Sequence, residues 1–120
     1  LDHVGEQARR ESLRMITERA SELAPNGEPV ILTADFNSTV DNPIYDTLKT
    51  FMFDSRAVAL ESDSRATLNC WRTDKTDYPA WVIDHIFVRG VEVQSFRVLD
   101  GDYGAPFISD HYPVLMRGRM

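Results

Sequence analysis

The sequence predicts an α+β fold: a mainly antiparallel sheet with helices packed against its outer face. Three features point there. Residues 5–23 place apolar side chains at helical spacing, "VILTA" at 30–34 is a short continuous apolar run, and two strand-like segments, the mainly apolar "WVIDHIFV" and the alternating "VEVQSFRVL", flank Gly90. The order is helix, strand, helix, then mostly strands.

The first helix is expected over Gly5–Leu23. Val4, Ala8, Leu13, Met15, Ile16, Ala20 and Leu23 share one arc, with Arg10, Glu11, Arg14, Thr17 and Glu18 opposite and Arg9 and Arg19 intruding on the apolar side. "APNGEP" breaks this helix. "VILTA" reads as a strand covered on both faces, and "DFNSTVDN" as a polar loop. Asn42-Pro43 has the form of an N-cap and a first-turn Pro, opening a short helix to about Leu48. "TLNCW" is a candidate strand and "RTDKTDYP" a loop. "WVIDHIFV" (Trp81–Val88) is a strand, Gly90 breaks it, and "VEVQSFRVL" is expected to pair with it as a hairpin. "DGDYGAPFISD" is a turn-rich loop, and "YPVLMRGRM" a terminal strand.

A chain of 120 residues suffices for one domain with a real core. Apolar residues make up 42% and charged residues 27%, as in ordinary globular proteins, and no run is long enough for a membrane-spanning helix. The net charge of −6 argues against strong duplex nucleic-acid binding, which needs a basic face. Cys70 is the only cysteine, so no internal disulfide forms. The opening Leu1-Asp2-His3, without Met, is expected to lie inside a longer protein.

Polar groups stand where apolar ones are expected. Asp35 and Asn37 follow "VILTA", Asp84 interrupts "WVIDHIFV", and Asp110 and His111 precede the last strand. Each has a plainer reading as well. Asp and Asn after a strand also form turns, Ser-Asp-His also fits a solvated loop, and Asp84 has Arg72, Lys75 and Arg89 nearby as surface partners. Together, though, they have the composition of a hydrolytic metal site. Carboxylates suit a hard cation such as Mg²⁺, an amide orients a phosphoryl oxygen or water, and an imidazole beside a carboxylate gains basicity. Such a set supports attack of water on a phosphoester. The sequence has no nucleophile-elbow motif of a serine hydrolase and no HExxH of a zinc protease.

"TADFN", "IDHIFV" and "SDHYPV", in that order, resemble the last three motifs of the endonuclease/exonuclease/phosphatase superfamily, and "LDHVGEQARRESLRMI" resembles its "THLDH" strand end and following helix. The resemblance covers essentially the whole chain. It implies half of a four-layer αββα sandwich, the C-terminal part of a single domain over 1–120, with the second sheet and its helices. It also implies a Mg²⁺-dependent phosphoric ester hydrolase, with Mn²⁺ as the alternative ion.

By the same resemblance, Asp35 and Asn37 position water and contact phosphate or metal. Asp84 holds the catalytic imidazole of His111, and Asp110 stands near the metal with Asp35. Ser109 supports the turn, and His3 is at most accessory. Ala34 replaces the family's usual Gly. The family's first half, which carries an early Asn and the principal Glu ligand, has no counterpart here. The expected partners are therefore the N-terminal half of the same domain and a phosphorylated small molecule, lipid or nucleic-acid substrate. The chain alone is expected to hydrolyse little and to expose its inner sheet face. "PAWVIDHIF" departs from the inositide-phosphatase "PAWCDR" in spacing and in His for Arg, so inositides are not assigned. Arg65, Arg72 and Lys75 are the local candidates for a second phosphate. The alternative class is a non-catalytic binding module that retains the fold; joint retention of Asp35, Asn37, Asp84, Asp110 and His111 speaks against it.

Overall fold

The computed structural model describes residues 1–72, 81–105 and 107–120. Helix α1 (Glu6–Leu23) is followed by β1 (Val30–Asp35), two 3₁₀ turns (Pro43–Tyr45 and Leu48–Thr50), β2 (Phe53–Asp54) and the single-turn helix α2 (Ser55–Val58). Next come β3 (Glu61–Ser62), β4 (Asp84–Arg89), β5 (Glu92–Val98) and β6 (Val114–Arg119). The α+β class is as expected. The strands, however, divide between two three-stranded sheets, ordered β1-β4-β2 and β3-β5-β6.

That division corrects the expected hairpin. β4 pairs antiparallel with β1 and β2, whereas β5 pairs with β3 and β6. Gly90, at φ +66, turns the chain from one sheet into the other, and a Cβ there would meet the Pro29 Cα at 3.3 Å. In β5, Gln94 is an extra residue opposite β6, between the pairs Val93–Gly118 and Ser95–Arg117. This bulge keeps Val93, Phe96 and Val98 on one face despite their uneven spacing.

β4 is the central element because both its faces are covered. His85 and Phe87 point toward α1 and the 3₁₀ turns. There Leu13, Phe36, Ile44, Tyr45, Leu48, Met52 and Phe87 form one core cluster. Ile86 and Val88 point the other way and join Val93, Phe96 and Val98 in a second cluster between the sheets. β1 is covered on one face only. Val30, Leu32 and Ala34 pack on the first core, but Ile31 on the opposite face is 50% exposed and Phe53, across Val88 from it, is 62% exposed. The second sheet shelters β4 and leaves its flanking strands open.

Helix α1 also differs in detail. Its buried stripe is Arg9, Leu13 and Thr17, while Val4, Met15 and Leu23 are exposed. Arg9 tolerates burial by donating from Nη1 to the Asp2 carbonyl (2.9 Å), and Thr17 by donating from Oγ1 to the Leu13 carbonyl (2.7 Å). Asn42 caps as expected, accepting from the Ile44 N–H (3.0 Å), but it opens a pair of 3₁₀ turns rather than an α-helix. Arg89, a candidate partner of Asp84, instead donates to the Ala24 carbonyl (3.1 Å) and stacks over Phe51 (4.3 Å).

Candidate functional site

Asp35 ends β1 and Asp84 begins β4, and the antiparallel register places them directly opposite each other. Directly opposed residues share a face, and like charges there oppose folding. The pair faces the space between the sheets, on the side of Ile86 and Val88. Each carboxylate has a polar companion. Asp35 accepts from Asn37 through Oδ1 (backbone N–H, 2.7 Å) and Oδ2 (Nδ2, 3.1 Å). Asn37 sits at φ +51, a left-handed conformation that Asn tolerates well, and its Nδ2 also donates to the Leu1 carbonyl (2.6 Å).

The companion of Asp84 is His111, whose Nδ1 lies 2.8 Å from the Asp84 Oδ2. An ionised carboxylate only accepts, so Nδ1 carries the proton and donates, leaving Nε2 free to exchange one. Burial disfavours the charged ring, but the hydrogen bond to Asp84 and the charges of Asp84, Asp35 and Asp110 outweigh it, so the His111 pKa lies above its ordinary value. Ser109 supports the turn as expected: its Oγ accepts from the His111 N–H (3.1 Å).

The loop bearing Asp35 and Asn37 is fixed from beneath. The Ser38 carbonyl accepts from the Tyr45 hydroxyl (2.8 Å) and from His85 Nε2 (2.9 Å). Burial pushes the Tyr45 phenol up and the His85 imidazole down, so both groups stay neutral donors at neutral pH. Phe36 packs among Tyr45, His85 and Phe87 with ring centroids 5.6–5.7 Å away.

Among the described residues, Asp35, Asp84 and His111 are the group whose candidate ligand atoms lie within 4.8 Å of one another. Asp110 is not a member of that trio, although its charge acts on His111; its carbonyl accepts from the Asn69 (2.7 Å) and Cys70 (3.2 Å) N–H groups. Arg72 is exposed and closes a turn through its N–H on the Asn69 carbonyl (3.0 Å). Lys75 lies outside the described residues. Arg65 is engaged in ion pairs with Asp63 (2.9 Å) and Asp100. His3 is exposed beside Asp2, whose carboxylate accepts from the Val4 and Gly5 N–H groups at the start of α1. Thr67 and Asn69, both buried beside the site, are not among the residues expected from sequence. "TLNCW" signals a strand, and its polar residues carry no motif.

The family model described as "Endonuclease/Exonuclease/phosphatase family" matches residues 3–111. The chain belongs to the endonuclease/exonuclease/phosphatase family. Members are typically hydrolases and generally metal-dependent. Two solved structures illustrate the likeness. A mannosyl-6-phosphatase of Bacteroides thetaiotaomicron VPI-5482 is 30% identical, with TM-score 0.85, over 100% of this chain and 49% of that one. An endonuclease/exonuclease/phosphatase from Bacteroides vulgatus is 31% identical, with TM-score 0.85, over 100% of this chain and 47% of that one. The chain thus spans about half the length of these structures. Among curated proteins, none matches the chain.

The donor set fits a hard dication through its carboxylates, which is the chemistry Mg²⁺ takes from proteins. The nearest imidazole nitrogen, His111 Nδ1, is already engaged by Asp84. The carboxylates of Asp35 and Asp84 are the members of the trio that could serve as ligands.

Proposed function

We propose that the protein containing this chain hydrolyses phosphoester bonds with the help of Mg²⁺, for which Mn²⁺ can substitute, by in-line attack of water. The observation that carries this reading is the His111–Asp84 contact of 2.8 Å standing over the facing Asp35. Asp84 holds the ring so that Nε2 points to the reacting group. His111 then takes a proton from water or, when protonated, stabilises charge growing on phosphate. Asn37, with its backbone fixed by Asp35, orients water or a phosphoryl oxygen. Asp35 holds the ion, with Asp110 on the neighbouring loop as the second carboxylate. When bound, the ion supplies charge neutralisation and a more acidic water.

Likeness to a mannosyl-6-phosphatase and the net charge of −6 both favour a phosphorylated small molecule over duplex nucleic acid. Arg72 and Lys75 are the candidates for contacting the substrate. The exposed face around Ile31 and Phe53 is the surface that the rest of the domain covers, and the chain by itself hydrolyses little.

The test is turnover of a generic phosphomonoester and a generic phosphodiester by the full-length protein, with Mg²⁺ and with chelator. Turnover that needs the ion is expected. Metal-independent turnover, or none on either substrate, would overturn the proposal.

A further inference from the structure

Thr67 and Asn69 touch neither water nor phosphate in the proposed reaction, yet both are buried, Thr67 completely. The Thr67 hydroxyl accepts from the N–H groups of Ile83 (3.1 Å) and Asp84 (3.2 Å), at the start of β4. Its own N–H donates to the Trp81 carbonyl (3.0 Å), and its carbonyl accepts from the Tyr112 N–H (2.6 Å). Leu68 forms an antiparallel bridge with His111. Asn69 then grips the loop before His111: its N–H donates to the Asp110 carbonyl (2.7 Å) and its Nδ2 to the Ser109 carbonyl (2.9 Å).

The same Asn69 holds an unusual turn. Its Oδ1 accepts from the Trp71 N–H (2.9 Å) and its carbonyl from the Arg72 N–H (3.0 Å). Between them Cys70 and Trp71 lie at φ +50 and +61, consecutive left-handed conformations that non-glycine residues adopt at a cost. Such strain persists where the surroundings fix it, and here the fixing residue also touches the His111 loop.

We propose that Thr67 and Asn69 are positioning residues for the hydrolytic pair, Thr67 seating the backbone of Asp84 and Asn69 the loop that presents His111. The inference rests on the hydrolytic reading of that pair. The two partners are 27 positions apart in sequence, and their neighbours are hydrogen-bonded to one three-residue segment. A hydroxyl is needed at position 67 because it accepts two buried N–H groups at once. A valine of the same shape leaves both unpaired, whereas serine keeps the acceptor.

The experiment is a double-mutant cycle in the full-length protein, measuring kcat and KM with Mg²⁺ for Thr67→Val, Thr67→Ser, Asp84→Asn and Thr67→Val with Asp84→Asn. Displacing a catalytic group by about 1 Å costs on the order of 100-fold. Thr67→Val is thus expected to lower kcat roughly 10- to 100-fold with KM little changed, and Thr67→Ser to restore it. In the Asp84→Asn background the valine is expected to cost less than about two-fold, because no aligned pair remains to disturb. An equal fold-loss in both backgrounds, or no loss in either, would overturn the positioning role. Should the valine variant not fold, Asn69→Asp, which keeps Oδ1 and loses the donor to Ser109, is read in the same cycle with the same outcomes. Full activity in Asp84→Asn alone would overturn the hydrolytic reading itself. Loss there without loss in Thr67→Val would overturn only the present inference.

Discussion

The Asp84 carboxylate and the His111 imidazole meet at 2.8 Å although 27 positions separate them in the chain. Asp84 opens β4 on the inter-sheet face, and His111 ends the long loop before β6. The ring is one-quarter exposed and the carboxyl 16% exposed, so the pair is sheltered yet still open to solvent.

The contact makes a pH prediction. His111 has a folded pKa above the ordinary value of 6.5. Below about pH 6.5 the ring is charged in both folded and unfolded chains, and the pairing with Asp84 contributes its full stabilisation. That contribution is lost as pH rises through the folded pKa. Following the His111 ring signals by NMR should give a midpoint above 6.5 that drops in Asp84→Asn, where burial is left less opposed. A midpoint that ignores the substitution would show that Asp84 does not hold the proton.

His85 has the opposite sign. Burial lowers its pKa, so at mildly acidic pH the unfolded chain binds a proton that the folded chain does not. Stability falls as pH drops from 6.5 toward the folded value. Denaturant melts should show the advantage of wild type over His85→Gln narrowing between about pH 7 and 5.5. A constant difference would contradict a neutral, buried donor to Ser38.

The same carbonyl predicts the effect of removing one hydroxyl. Tyr45→Phe keeps the ring packing and deletes the bond to the Ser38 carbonyl, which retains His85. The expected cost is about 1 kcal/mol in denaturant melts. A loss above about 3 kcal/mol would mean that the phenol does more than anchor this loop.

Ile31 and Phe53 test what covers the inner sheet face. Both are at least half exposed in this chain, so Ile31→Ser and Phe53→Ser should each change its stability by no more than about 0.5 kcal/mol. In the full-length protein, where the proposed other half buries them, each should cost about 1–3 kcal/mol. Equal small effects in both proteins would contradict that packing.

Much of the fold and the site is legible in the sequence, for local reasons. Helical spacing locates α1, and unbroken or alternating apolar runs locate β1, β4, β5 and β6. Polar residues within those runs or at their ends draw attention to Asp35, Asn37, Asp84, Asp110 and His111. The segregation of β4 and β5 into separate sheets is not legible, because a Gly between two strand-like segments signals a turn without saying which strands then pair. Arg9 reads as an intruder on the apolar arc, whereas its stem buries while its head finds a carbonyl. Thr67 and Asn69 act through hydrogen bonds to residues distant in sequence, which no spacing rule encodes.

The most direct test of the account is the turnover of His111→Ala in the full-length protein with saturating Mg²⁺ on a phosphate ester that the wild type hydrolyses. Loss of a proton-transferring group predicts a fall in kcat of roughly 10²- to 10⁴-fold with the protein still folded. A folded variant that turns over within about two-fold of wild type would contradict the central claim that the Asp84–His111 pair carries the chemistry.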